Sequence, residues 1–272
     1  MKPHRGQVLA VVGIVVAVVT VGVVTVLLAS NTEPGAGPRV SATSTTRKTT
    51  TPPPPPPRPT LTVDSGCRIG QGPKELVKVP QRVTGRMNRA WERIEKWLAA
   101  NAPATAATLA PPADPGLIAE TQRQIGVPFP AELVAFLRRH DGAGTDMRAG
   151  FALPPFYRLL STRYIGEEAK MMCDVLSKSG HDESVGWWWH GQVVPFAHDG
   201  GGGNLLLDQR PGRDGWLGDH SEESEMRFDT YPRTLTELLE MTATSLETGG
   251  VVLKHYRPKV VDGEVLEWDI IP

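Results

Sequence analysis

The sequence predicts an α+β domain, an antiparallel sheet with helices packed on one side, preceded by one transmembrane helix and a disordered linker. Three observations predict it. Apolar residues recur at helical spacing between capping signals in three stretches, 86–142, 161–180 and 234–249. Short β-prone runs alternate with glycine-rich turns over 191–219, and Asp262-Gly263 marks a hairpin. The first sixty residues show neither pattern.

Val8 to Ala29 is a run of 22 uncharged, mostly apolar residues. At about 1.5 Å per residue it spans roughly 33 Å as a helix, enough for a hydrocarbon core of about 30 Å. Lys2 and Arg5 also suit a signal peptide. Signal h-regions, however, run only about 7–15 residues, and no small-x-small cleavage site follows here. The length favours an uncleaved anchor. Positive charge gathers before the run, at Lys2 and Arg5, whereas Arg39 after it is offset by Glu33. The bias predicts a single-pass protein of the cell membrane with its C-terminal domain outside the cytoplasm.

Residues 31–75 read as a Thr/Pro-rich linker, with TPPPPPPRPT at 51–60 as a stiff polyproline II spacer. A ligand for an SH3-like domain is the sharper reading of the same prolines; a spacer is what the context calls for. The predicted organisation is therefore an anchor over 1–30, a linker over 31–75 and a globular domain over 76–272.

Within the domain, Met87, Trp91, Ile94 and Leu98 form one helical face that ends before Pro103. Asp114-Pro115 opens a second helix, closed by Gly126. A third, AELVAFLRRHDG, buries Leu133, Phe136 and Leu137 and runs to Gly142. YRLLS is a short strand, and Ser161 caps a helix with Ile165, Ala169, Met172 and Leu176 inward, closed by Gly180. Strands follow near 191–197, 204–208 and 215–219, with another at 226–230. Thr234 and Glu237 form a capping box for the last helix, and the chain closes on the Asp262-Gly263 hairpin.

Charge divides unevenly. Residues 1–60 hold six Lys/Arg against one Glu, leaving 23 Lys/Arg against 29 Asp/Glu for the rest. An acidic domain argues against nucleic acid and toward a basic protein partner. The two cysteines, Cys67 and Cys173, pair only if the compartment is oxidising; the bond would tie the start of the domain to a helix.

The chemistry-bearing constellations are thin. Asp199 and Gly200–Gly203 precede an extended LLLD without a nearby Lys, which fits a turn and neither a phosphate nor a calcium loop. His181, His190, His198 and His220 with Cys173 match no zinc spacing. There is no Gly-x-Ser-x-Gly, and Asp208 and Asp214 at the ends of a Gly/Arg loop fit solvated turn residues better than a glycosidase pair. No catalytic residue, cofactor or metal is expected. Trp187, Trp188 and Trp189, if extended, place Trp188 opposite the other two. They either cover the sheet edge internally or anchor a partner.

The motif strings WERIEKWL, LAPPADPGLIAETQRQIGVPFPAELVAFLRRHDG, FALPPFYRLLS and VVPFAHDGGGGNLLLDQRPGRDGWLG together resemble the SUKH superfamily, the Smi/Knr-like group. The resemblance covers about Trp91 to Leu246. It implies an α+β fold without catalytic activity. It also implies a binding role, since bacterial members are mostly immunity proteins against toxins and fungal members regulate cell-wall synthesis. An anchor and spacer depart from the usual bacterial pattern.

The expected function is thus a non-enzymatic, membrane-tethered interaction module that binds a toxin or envelope protein. The competing expectation is a cell-wall or carbohydrate-binding module on a rigid spacer. The expected contact residues are Trp187, Trp188 and Trp189 with the carboxylates Asp199, Asp208, Asp214, Asp219, Glu222, Glu223 and Glu225. Over 199–229 eight acidic residues, those seven and Asp229, face only Arg210, Arg213 and Arg227.

Overall fold

The computed structural model describes residues 61–144 and 150–272. The expected anchor at 8–29 and the proline run lie outside the described residues. Among the described residues no helix is long and apolar enough to cross a membrane.

The helices begin and end where local chemistry dictates. α1 (Gln81–Asn101) buries Met87, Ala90, Trp91, Ile94 and Leu98 and stops before Pro103, which opens the short α2 (Pro103–Ala106). α3 (Pro115–Ile125) is capped by the Asp114 carboxylate, which accepts from the Gly116 and Leu117 amides at 2.8 and 3.2 Å. α4 (Ala131–Leu137) ends well short of Gly142. Past its end, Arg139 and His140 both turn toward Glu95 of α1, at 2.6 and 2.8 Å, and Asp141 accepts from the Thr162 amide at 2.6 Å. Those three contacts, made in a tightened turn, replace the last expected helical turn.

The sheet strands are β1 (Ala152–Leu153), β2 (Tyr157–Leu159), β3 (Val193–His198), β4 (Asn204–Asp208) and β5 (Trp216–His220). They form one antiparallel sheet in the order β1-β2-β3-β4-β5. α5 (Thr162–Ser179) runs between β2 and β3, from a Ser161 cap to Gly180 in the left-handed region. α6 (Leu235–Thr248) starts at the predicted capping box, with both Thr234–Glu237 bonds at 3.2 Å. β6 (Tyr256–Val261) and β7 (Val265–Ile270) make a separate two-stranded ribbon turning at Asp262 and Gly263.

The expectation of an α+β fold holds, but the one-sided layering does not. All five residues of β4 are buried, which requires cover on both faces. One face sends Val194, Leu205, Leu207 and Leu217 into the large core with Trp91, Phe136 and Leu239 of α1, α4 and α6. The other sends Val193 and Leu206 to Met172 and Leu176 of α5, Trp189 and Met226. Strand 226–230 is also absent. Only an isolated bridge, Asp219 to Arg227, pairs there, and the segment instead lays Phe228 across the sheet.

The packed domain begins earlier than residue 76. Leu61 and Cys67 pack on the second cluster, and Cys67 is bonded to Cys173 of α5 with 6.0 Å between the Cα atoms. The Gly191 amide donates to Ser65 O at 2.7 Å, and a Cβ on Gly191 would sit 2.3 Å from the Cys67 nitrogen. Gln122 of α3 donates to the carbonyls of Pro73 and Glu75, both at 2.9 Å. Polar composition hid this strap: one covalent bond and backbone hydrogen bonds hold it, with few apolar side chains.

Candidate functional site

β5 organises the face of the sheet that bears the second cluster. Period-two alternation places Trp216, Gly218 and His220 on one side of the strand, and a different group covers each. His220 lies against the rings of Trp188 and Trp189, edge-on at centroid distances of 5.1 and 5.5 Å. Phe228 covers Gly218 so closely that a Cβ there would fall 2.6 Å from its ring and 2.5 Å from the Arg227 carbonyl. Trp216 carries the guanidinium groups of Arg213 and Arg233 at 5.6 and 3.1 Å from its centroid.

The three tryptophans are not extended. After a 3-10 turn, Asp182–Ser184, the amides of Trp188 and Trp189 both donate to Ser184 O, at 2.9 and 3.2 Å. The alternation expected for a strand is therefore lost, and each ring has its own fate. Trp187 is 51% exposed, Trp188 is half-buried with Nε1 donating to Glu222 O at 3.0 Å, and Trp189 is fully buried. Trp189 covers the sheet internally, and Trp187 is the ring left open to solvent.

The seven carboxylates divide as well. Asp199 accepts from the Gly201 and Gly203 amides at 2.7 and 2.9 Å, shaping the glycine turn. Asp208 is completely buried and no solvated turn residue. It accepts from the Arg210 amide, Nε and Nη2, the shortest at 2.7 Å, with Arg213 at 3.7 Å. Asp219, 4% exposed, accepts from Arg227 at 2.7 Å. Asp208 and Asp219 are structural, because burying an unpaired carboxylate is far costlier than pairing it, and Asp199, part-exposed, is engaged by its own turn. Asp214, Glu222, Glu223 and Glu225 face solvent. The segment that carries three of them is tied to the tryptophan turn: the Met226 amide donates to Trp187 O at 2.9 Å, and Trp188 Nε1 donates to Glu222 O at 3.0 Å.

His220 is buried with both ring nitrogens lacking a partner among the described residues. Burial depresses its pKa from 6.5 to about 4, against an opposing pull from Asp219 and Asp199. Its cross-strand neighbour Asn204 donates to Glu168 of α5 at 2.9 Å. Of the five residues weighed for zinc, Cys173 is consumed by the disulfide. Among the described residues no three His, Cys, Asp or Glu side chains are placed to hold a metal.

Sequence reasoning missed the cations. Arg210 and Arg213 lie over Phe228 at 5.6 and 5.4 Å, beside the Arg213–Trp216–Arg233 stack. The signal was present in RPGRDGW, but summing charge over 199–229 averaged it away.

Residues 112–232, from just before α3 through the segment covering β5, match the SMI1 / KNR4 family (SUKH-1). That matched span places this part of the chain in the SUKH superfamily. A comparison with curated proteins found no match. The matched span of the SUKH domain contains all ten expected contact residues and every strand of the five-stranded sheet. The family relationship makes the domain a protein-interaction module, and the aromatic layer over β5 is its candidate surface.

Proposed function

We propose that this SUKH domain is a non-enzymatic binding module whose contact surface is Trp187 with Glu222, Glu223 and Glu225. Its partner is a toxin or cell-envelope protein presenting a basic face. One observation carries the reading: the half-exposed indole and the three solvent-facing carboxylates are bonded into one turn, through Met226 to Trp187 and Trp188 to Glu222. An exposed tryptophan ringed by charge gives a desolvating anchor with electrostatic steering. The carbohydrate alternative loses its platform, since only one of the three rings is open to stack on a sugar.

The same proposal places the domain outside the cytoplasm, held to the cell membrane by the apolar run at 8–29. The Cys67–Cys173 bond supports that placement, because such bonds persist in oxidising compartments.

The test is affinity capture with the full-length chain in mild detergent, comparing wild type, Trp187→Ala and the charge reversal Glu222→Lys/Glu223→Lys/Glu225→Lys. A genuine partner is recovered by wild type and lost, by about tenfold or more, from both variants. A partner recovered equally by all three sinks this surface.

A further inference from the structure

At the other end of β5, the same layer changes sign. Arg210 takes up the buried carboxylate at this end, Asp208, through its amide and two guanidinium nitrogens. Arg213 is left with a longer 3.7 Å contact to that already saturated group and has no side-chain hydrogen bond among the described residues. Arg233 is exposed, and although its carbonyl accepts from the Leu217 amide at 3.0 Å, its guanidinium has neither a carboxylate nor a hydrogen-bond partner among the described residues. Asp214 is exposed and bonded to neither. Both guanidinium groups lie over aromatic rings instead, Arg233 at 3.1 Å from the Trp216 centroid and Arg213 at 5.6 and 5.4 Å from those of Trp216 and Phe228.

Stacking uses the face of a guanidinium and leaves its in-plane N–H donors unspent. Those donors form a planar fork that matches a carboxylate. Two such forks gather over one indole, and ring contacts made before any ligand arrives reduce the side-chain entropy lost on binding.

We propose that Arg213, Arg233 and Trp216 form a receiving site for an Asp/Glu-bearing segment of a partner protein. A long polyanion is disfavoured. The domain carries a net acidic charge, and the same strand leads to Glu222, Glu223 and Glu225, which repel an extended chain of phosphates. A short acidic segment meets only the cationic end. The site stands apart from the Trp187 surface and does not depend on it.

The probe is a labelled oligoglutamate peptide, titrated by fluorescence anisotropy against the full-length chain in mild detergent at low ionic strength. Saturable binding is expected, weakened about tenfold or more in Arg213→Gln/Arg233→Gln and only partly in Arg213→Lys/Arg233→Lys, which keep charge and lose the fork. Near-UV circular dichroism establishes that each variant keeps its packed aromatic layer. Reversal of Glu222, Glu223 and Glu225 should leave the peptide affinity equal or higher. Absent binding, affinity unchanged in the Gln variant, or displacement by inorganic phosphate at equal concentration would each overturn the assignment.

Discussion

Acidification should weaken this fold through His220 in a window set by one depressed pKa. The ring is 1% exposed, packed between two indoles, and neither nitrogen has a partner among the described residues. Folding lowers its pKa from 6.5 to about 4, chiefly by burial. The unfolded chain therefore binds the proton first as pH falls. Stability from the neutral ring is complete above pH 6.5, declines through the interval, and is exhausted near pH 4. A shift of that size is worth about 3 kcal/mol, at 1.36 kcal/mol per pH unit. Carboxylates held low by arginines, such as Glu95 by Arg139 and Glu240 by Arg86, add their own acid lability. Their loss begins near their ordinary value of 4.5, inside the lower part of the window, but it is common to wild type and variant, so a difference measurement separates the effects. Urea unfolding of wild type and His220→Phe across this range supplies it. Phe removes two unsatisfied nitrogens and keeps a flat ring, so near pH 7 it should cost little or stabilise. The wild-type curve should fall toward the variant's, or below it, by about 3 kcal/mol as pH drops to 4. His220→Leu guards against overpacking by Phe. Parallel pH profiles for wild type and both variants would refute the reasoning.

Two further outcomes follow from the same face of the sheet. The Cys67–Cys173 bond closes a loop of sequence separation 106, for which chain entropy gives an upper value of about 4.7 kcal/mol. Cys67→Ser/Cys173→Ser should therefore lower the urea midpoint by an amount worth about 2–5 kcal/mol and raise hydrogen exchange over 61–75, whereas unchanged exchange there would mean the strap holds without the bond. Gly218→Ala drives a methyl into the Phe228 ring and the Arg227 carbonyl, so it should cost about 1–3 kcal/mol in thermal unfolding. A neutral result would show that the 226–230 segment shifts freely.

The parts of the fold legible in sequence were those fixed by local chemistry. Asp114-Pro115, Ser161 and the Thr234–Glu237 box each bond amides within three residues, and those helices begin where expected. The illegible parts depended on distant partners. α4 ended early because Glu95, forty-odd positions away, offers Arg139 and His140 a bidentate partner. The strap at 61–75 looked like linker because its hold comes from α3, Gly191 and one cysteine on α5. Two-sided burial of β4 was readable in NLLLD, an unalternated run, yet its flanking Asn and Asp suggested exposed ends; both are buried, paired with Glu168 and Arg210.

For the candidate surface, sequence located the segment and misjudged its charge. A tally treats every carboxylate in 199–229 as available, but burial and pairing engage Asp208 with Arg210 and Asp219 with Arg227, while Asp199 is held by the amides of its own turn. Each buried pair is close to neutral from outside. What remains exposed includes an acidic tract of Glu222, Glu223 and Glu225 at one end and the ring-bound guanidiniums of Arg213 and Arg233, with Asp214 beside them, at the other. The strand between them spans four residue steps, about 14 Å at roughly 3.4 Å per residue. That separation exceeds the Debye length of about 8 Å at physiological salt, so the two ends do not cancel in solution. Two opposite charges so spaced reject a partner of uniform charge of either sign at one end or the other. On the proposed surfaces, then, specificity would reside in charge order along β5, a property that composition does not encode.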